Sequence, residues 1–108
     1  MASDEDKAEI ERILRERRQC VDCGIETMHG KPHEDYMVKD KVWKKAGMKP
    51  GGGRLCIGCL ESRLGRPLVG RDFKDLPVNI PGLMADTERL YELKMQATVH
   101  YAMKRMRR

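Results

Sequence analysis

The chain has 108 residues, of which 36% are charged and only 5% are aromatic. A chain of this size and composition can bury little apolar surface, so we expect a further stabilising group such as a bound metal ion. The acidic N-terminus lacks an apolar run of signal-peptide length, and no segment approaches the roughly 20 apolar residues of a membrane span. These features argue against a secreted or membrane protein and predict a cytoplasmic one.

The net charge of +5 is distributed unevenly along the chain. Residues 1–38 carry six basic and ten acidic side chains, whereas residues 39–74 carry ten basic and three acidic ones. Residues 75–108 carry six basic and four acidic side chains. The positive charge is therefore concentrated in the middle third, which suits a polyanionic partner, although a solvated charged face is the simpler interpretation.

Residues 4–18 are predicted to form a first helix, because acidic residues occupy its first turn and arginines its last turn. The large apolar side chains at helical spacing are those of Ile10, Ile13 and Leu14. Such a narrow stripe predicts that this helix lies on a domain surface or contacts a partner.

The first pair of cysteines, Cys20 and Cys23, flanks a two-residue spacer and is followed by Gly24. The short spacer allows one metal ion to accept both sulfurs, and a glycine can adopt the left-handed backbone that follows such a turn. Further along, a Gly-Lys-Pro break precedes an extended run at residues 36–38.

A short helix is predicted to begin at Asp40, as its N-cap, and to stop at Gly47. Its inward-facing residues are expected to be Val42, Trp43 and Ala46. A flexible glycine-rich turn then leads into a short strand before the second pair of cysteines.

The second pair is Cys56 and Cys59, and Cys59 is predicted to lie at the start of a helix, where the helix dipole favours a thiolate. This helix should end before Gly65. In a reducing compartment, two close pairs are better explained by one metal ion than by disulfides. The sequence therefore predicts a structural Zn²⁺ ion, and its four ligands are Cys20, Cys23, Cys56 and Cys59.

Three other interpretations of the cysteines compete with this one: a redox-active pair, unpaired buried thiols and an iron–sulfur cluster. Neither pair lies in a thioredoxin-like strand-to-helix context. His29 and His33 lie between the pairs, but four thiolates complete a tetrahedral site without them. We expect both histidines in surface loops, and His100 on the face of the last helix.

The C-terminal part begins with three prolines between residues 67 and 82, which exclude a long regular element and predict a linker. The longest helix should follow, capped by Asp86 or Thr87 and ending in a basic cluster. Its two apolar paths and its methionines predict a docking element, either for a second copy of the chain or for another protein. Packing on the first helix is the alternative. The predicted division is an N-terminal helix at 1–19, a four-cysteine zinc-binding domain at 20–66, a proline-rich linker at 67–82 and a C-terminal helix with a basic end at 83–108.

A cysteine knuckle followed by a second pair at a helix start resembles the treble-clef zinc finger over residues 18–66. The resemblance implies a small, zinc-stabilised α+β domain with short hairpins and helices, flanked here by an N-terminal and a C-terminal helix. The strings DYMVKDKVWKKAGM and LCIGCLESRLGRPL also resemble a group of short, uncharacterised bacterial and phage zinc-binding proteins. This second resemblance implies no function.

Two functional classes that also use such zinc sites fit the sequence less well. The HNH nucleases need a general-base histidine with a further asparagine and histidine, but the only asparagine is Asn79, and no histidine follows Cys59 until His100. The transcription factors of the DksA and TraR type have a shorter spacer than the 32 residues between the pairs here. We therefore expect no enzymatic activity, and an atypical HNH-like nuclease is the less favoured alternative.

The favoured function is a non-enzymatic zinc-finger module that binds nucleic acid through a basic surface. Trp43 or Tyr36 can stack on a base. The other main hypothesis is a protein–protein adaptor, regulator or inhibitor that docks through its helices, with homo-oligomerisation through the C-terminal helix included. The predicted nucleic-acid-binding residues are Lys39, Lys41, Lys44, Lys45, Lys49, Arg54, Arg63 and Arg66, and Arg71 belongs to the same basic segment.

Overall fold

The computed structural model describes residues 3–107 and shows a mainly helical fold. Pairing between extended segments is limited to isolated bridges, such as those of Gln19 with Glu26 and of Val38 with Phe73. Little strand is therefore present in the described part of the chain, and the hairpins expected from the treble-clef resemblance are reduced to single bridges. The helices are α1 (Asp4–Arg18), α2 (Asp40–Lys45), α3 (Ile57–Leu64) and α4 (Glu88–Met106), with 3₁₀ turns at Gly70–Asp72 and Pro77–Asn79.

Helix α1 has the predicted bounds and begins with a reciprocal cap. The Asp6 amide donates to the Ser3 hydroxyl at 3.1 Å, and the Ser3 amide donates to the Asp6 carboxylate at 3.3 Å. No residue of α1 is buried. The helix therefore extends from the rest of the molecule, and the molecule including α1 measures 58 × 28 × 23 Å. None of the described helices is both long and apolar enough to cross a bilayer.

The ends of the other helices follow their capping signals, with one correction. Asp40 is the first residue of α2 and not its N-cap, because Lys39 has extended backbone and its carbonyl accepts from the Val42 and Trp43 amides at 3.0 and 3.1 Å. Gly65 takes the left-handed conformation after α3, as predicted. Thr87 caps α4 through its hydroxyl, which accepts from the Leu90 amide at 3.4 Å.

One hydrophobic core joins α2, α3 and α4. The segment at residues 67–82, which the sequence predicts as a linker, contributes Leu68 and a completely buried Phe73 to this core. Its prolines exclude a long helix, as expected, but short 3₁₀ turns allow the segment to pack. Gly70 touches α4 so closely that an added Cβ would lie 2.5 Å from the Gln96 carbonyl carbon. This part of the chain therefore holds α4 against the core.

A buried ion pair fixes α4 to the same segment. The Lys94 side chain is 0% exposed, and its ammonium donates to the Asp86 carboxylate at 2.7 Å and to the Val78 carbonyl at 2.8 Å. A buried charge is tolerated only when it is paired and hydrogen-bonded, and both conditions are met here.

Candidate metal centre

The first cysteine pair lies on a tight turn that follows α1. The Gly24 amide donates to the Cys20 carbonyl, and the Cys20 amide donates to the Ile25 carbonyl, both at 2.8 Å. Gly24 has a φ of +79°, the left-handed conformation that the sequence predicts for it. The turn therefore folds the chain back on itself and presents Cys20 and Cys23 together.

The second pair is held beside the first by backbone pairing and by the start of α3. The Val21 amide donates to the Arg54 carbonyl at 2.9 Å, which places the strand-like residues before Cys56 next to the knuckle. Cys56 is the N-cap of α3, and its sulfur accepts from the Cys59 amide at 3.5 Å. Both cysteines of this pair therefore lie at the N-terminal end of a helix, where negative charge is stabilised.

The structure brings the four predicted cysteines into one cluster. Their sulfur atoms all lie within 4.8 Å of one another, and those of Cys23 and Cys56 are 3.7 Å apart. A tetrahedral zinc site with Zn–S bonds of about 2.3 Å requires sulfurs about 3.8 Å apart, so the cluster has the right size. Cys20 and Cys56 are buried, whereas Cys23 is exposed. The cluster can therefore hold a metal ion such as zinc close to the surface.

The acid–base chemistry of the cluster also fits a cation. Burial raises the pKa of Cys20, but amide hydrogen bonds from Cys56, Cys23 and Asp22 outweigh it and lower that pKa to about 7. Burial, together with hydrogen bonds to the other sulfurs, raises the pKa of Cys59. Four thiolates this close repel one another unless a cation lies between them. The donor set is therefore compatible with a metal ion such as zinc.

An arginine of α3 holds the knuckle in place. Arg63 donates from Nε and Nη2 to the two carboxylate oxygens of Asp22, at 2.8 and 2.6 Å, and Asp22 lies between the two knuckle cysteines. A third bond runs from Arg63 Nη1 to the carbonyl of Ala46, at 3.0 Å. The hydrogen bonds from Arg63 lower the pKa of Asp22. Arg63 therefore joins both cysteine-bearing segments to the end of α2.

A second ion pair, which no signal in the sequence indicates, connects the cysteine cluster to α4. Glu34 is buried, and its carboxylate accepts from the Ile57 amide at 2.9 Å, from the Thr87 hydroxyl at 2.7 Å and from Arg89 at 2.6 and 2.7 Å. Burial raises the pKa of Glu34, but these donors bring it below its ordinary value. Glu34 also raises the pKa of Arg89, and Cys56 adds to that effect. The first turn of α3 and the cap of α4 thus share one carboxylate.

The histidines lie outside the cysteine cluster. His29 is exposed. His33 is buried, because its backbone pairs with the residues before α4: its amide donates to the Ala85 carbonyl at 2.8 Å, and its carbonyl accepts from the Thr87 amide at 3.1 Å. The prediction that His33 occupies a surface loop is therefore wrong.

The structure divides the predicted nucleic-acid-binding residues into two groups. The three arginines are engaged with carboxylates: Arg54 with Asp35, Arg63 with Asp22, and Arg66 with Asp72 at 2.8 and 3.0 Å. The other group, which we call the α2 lysines, has no carboxylate within salt-bridge distance among residues 3–107. The α2 lysines are Lys39, Lys41, Lys44, Lys45 and Lys49, and all except the half-buried Lys39 are exposed.

Neither Arg71 nor the two aromatic candidates belongs to these groups. Arg71 is exposed. Tyr36 is buried, and its hydroxyl donates to the Leu55 carbonyl at 2.7 Å, whereas Trp43 is only partly buried. Trp43 is therefore the aromatic ring that remains accessible beside the α2 lysines.

Comparisons with models of protein families, with curated proteins and with solved structures gave no match to this chain.

Proposed function

We propose that this protein is a non-enzymatic, zinc-stabilised module that binds nucleic acid through the α2 lysines. The observation that carries the proposal is the contrast between these lysines and the neighbouring arginines. To bind a phosphate, Arg54 and Arg66 would have to leave the buried carboxylates of Asp35 and Asp72, and Arg63 would have to give up both of its hydrogen bonds to Asp22. The α2 lysines face no such penalty, since their charges are unpaired in the described chain and nearly all of them are exposed.

Zinc is the metal we assign to the cluster. Four thiolates form a soft, tetrahedral donor set that zinc prefers in structural sites, and such a closed site leaves no position for a reacting water molecule. A treble-clef-like arrangement fits the same residues, since a knuckle is followed by a second pair at the start of α3. The zinc ion then stabilises the fold, and the surface around α2 binds the nucleic acid.

Binding of this type is mainly electrostatic and follows from the release of counterions. Lys44 and Lys45 supply two of the positive charges. If both contact phosphates, exchanging them for glutamates should weaken binding to every sequence alike, and the slope of log K against log salt should become shallower by about 1.4 for a single strand.

The test is fluorescence anisotropy of a labelled oligonucleotide at several salt concentrations. Lys44→Glu plus Lys45→Glu is compared with Lys7→Glu plus Lys31→Glu, which changes the net charge equally at exposed sites outside α2. We expect the α2 variant to lose at least about tenfold in affinity and the control to lose much less. Equal losses, or no binding by the unaltered protein at low salt, would contradict the proposal.

A second candidate function is a protein-binding module that uses the outer face of α4. Met95, Val99 and Met103 are exposed on this helix, and flexible apolar side chains of this type are common at partner surfaces. Analytical sedimentation of the whole chain measures whether the protein self-associates through this face. If that face binds a second copy, Val99→Lys plus Met103→Lys should dissociate an oligomer that Gln96→Lys plus Thr98→Lys leaves intact. A monomer at all concentrations would remove the homo-oligomer version of this candidate.

A further inference from the structure

A cleft of about 350 Å³ lies between α2, the extended residues 36–38 and the glycine-rich loop at 50–53. Its volume is at the lower end of the roughly 300–1,000 Å³ of small-ligand sites, so it has room for one ring system and its attached sugar. The walls include Val38, Trp43 and Leu55, and the charged residues that line the cleft are Asp40, Lys74 and Arg54, the last of which is paired with Asp35. An apolar interior with a few charged groups is the usual composition of a ligand site.

The aromatic wall of this cleft is fixed, and its polar edge is already occupied. Trp43 Nε1 donates to the Lys49 carbonyl at 3.1 Å, which anchors the indole to the start of the glycine-rich loop. The Tyr36 hydroxyl is likewise taken up by the Leu55 carbonyl. The indole N–H is therefore not available to a ligand, which can contact Trp43 only through its ring carbons. Contact through a ring surface selects planar, apolar-faced groups.

The loop that closes the cleft is tied to the metal centre. Gly51 and Gly53 line it without filling it, and an added Cβ on Gly53 would lie 2.8 Å from Val21 of the knuckle. The adjoining Arg54 carbonyl accepts from the Val21 amide. The cleft is therefore preformed once the knuckle has folded, and its ligand does not have to order the loop.

The charge around the cleft suits phosphate. Lys74 Nζ lies 2.8 Å from the Asp40 carboxylate, but the Asp40 side chain is 90% exposed. An ion pair this open is weak, so Lys74 can exchange the carboxylate for a phosphate. The α2 lysines Lys41, Lys44 and Lys45 follow Asp40 along the same helix, outside the set of residues that line the cleft. Positive charge thus continues from the cleft along α2.

We propose that this cleft holds one unpaired base of a single-stranded nucleic acid, stacked on Trp43, with the adjoining phosphates bound by Lys74 and the α2 lysines. The inference rests on the proposed function and adds the ligand class. Bases in a duplex are stacked on one another and show only their edges, so a recessed aromatic surface can be reached only by an unpaired base.

The experiment uses the full-length, zinc-loaded protein with unlabelled oligo(dT) of 12 nucleotides and with the matching oligo(dA)·oligo(dT) duplex. Trp43 is the only tryptophan in the chain, so its intrinsic fluorescence reports stacking directly. We expect the single strand to quench Trp43 and to bind at least about tenfold more tightly than the duplex at equal salt, in line with the contribution of one stacked base.

Substitutions then separate stacking from charge. Trp43→Leu should weaken single-strand binding on the order of tenfold and duplex binding little, while Trp43→Phe should retain part of the preference. Trp43 packs against the core, so its substitution can also affect folding. Asp40→Asn and Lys74→Gln therefore test the cleft with side chains at its rim. Asp40→Asn should strengthen single-strand binding, since it frees Lys74 and removes a negative charge, and Lys74→Gln should weaken it.

The outcomes distinguish this inference from the proposed function. Equal affinity for single strand and duplex, with unchanged Trp43 fluorescence, would overturn the cleft assignment and leave binding by the α2 lysines standing. Absence of binding to either form at low salt would overturn both the cleft assignment and the proposed function.

Discussion

Helices α1 and α4 are both predicted by the sequence, yet only α4 contributes to the core. Helix α1 has a reciprocal cap, a favourable charge order and no buried residue. Helix α4 buries Leu90, Leu93, Lys94 and Ala97. A 15-residue helix without tertiary packing is marginal in water, whereas α4 is held by packing at Gly70 and by two ion pairs whose carboxylates are buried. Good local signals thus determine where a helix forms, but buried partners determine whether it is anchored.

The strongest test of this contrast is the loss of Cys56, one of the four clustered cysteines. Cys56→Ser should abolish binding of one zinc ion per chain and unfold the body of the protein, because structural zinc contributes about 10–16 kcal/mol in small zinc domains. Helix α4 should lose its hydrogen-exchange protection along with α3, while α1, which is already exposed, should change little. Native mass spectrometry measures the zinc, and hydrogen exchange measures each helix.

A substitution at His33, one of the two histidines between the cysteine pairs, provides the control for metal binding. His33→Ala should keep the full zinc content, since His33 lies outside the cysteine cluster. Retention of zinc and fold by Cys56→Ser would contradict the metal assignment.

A smaller but still large effect is expected from the buried ion pair of α4. Lys94→Met leaves the Asp86 carboxylate buried and unpaired, which should lower the free energy of unfolding by about 3–5 kcal/mol. The matched change in α1 is Arg12→Met, which removes an exposed ion pair with Glu9. This substitution should change the free energy of unfolding by about 0–1 kcal/mol. Denaturant titration of the zinc-loaded proteins compares the two. Similar values would show that α1 and α4 are equally anchored.

The Glu34–Arg89 pair should appear as a pH dependence of stability. The folded-state pKa of Glu34 lies below its ordinary value, so its contribution is complete above about pH 5 and is lost as the pH falls through the folded pKa. Glu34→Gln should therefore destabilise the protein by about 2 kcal/mol at pH 7 and by progressively less in acid.

Denaturant midpoints at several pH values measure this difference, and the zinc content must be equal in both proteins at each pH, because acid also protonates the thiolates. A difference between the two proteins that stays constant down to about pH 3 would show that Glu34 is not held ionised by these donors.

The smallest effect is expected on the apolar stripe of α1. Leu14→Ala should change the free energy of unfolding by less than about 0.5 kcal/mol, whereas the same substitution at the fully buried Leu90 of α4 should lower it by about 2–5 kcal/mol. If the loss for Leu14→Ala is larger and depends on protein concentration, α1 packs against a partner copy in solution, and the contrast with α4 is weaker than the single chain indicates.

The features that could be predicted from the sequence depend on signals a few residues apart. The bounds of α1 follow from its charge order, with acidic residues first and arginines last. The stop at Gly65 and the cap at Thr87 follow from capping rules, and the cysteine cluster follows from paired spacing. Glu34 carried no such signal, because its partner Arg89 is 55 residues away in the sequence. Lys94 carried none either, because it meets Val78 and Asp86 only when α4 packs on the segment before it. The same limit explains the segment at residues 67–82, where prolines exclude a helix but do not exclude burial.

The shared carboxylate of Glu34 also sets an order of events during synthesis. A ribosome completes the chain from its N-terminus, so both cysteine pairs are made before Arg89, which comes thirty residues after Cys59. In a nascent chain, the four cysteines are therefore available to a metal ion such as zinc while the Glu34 carboxylate is still in contact with water. Docking of α4 removes that water and supplies the guanidinium, so the Glu34 charge is buried beside the cysteine cluster only after α4 has been made.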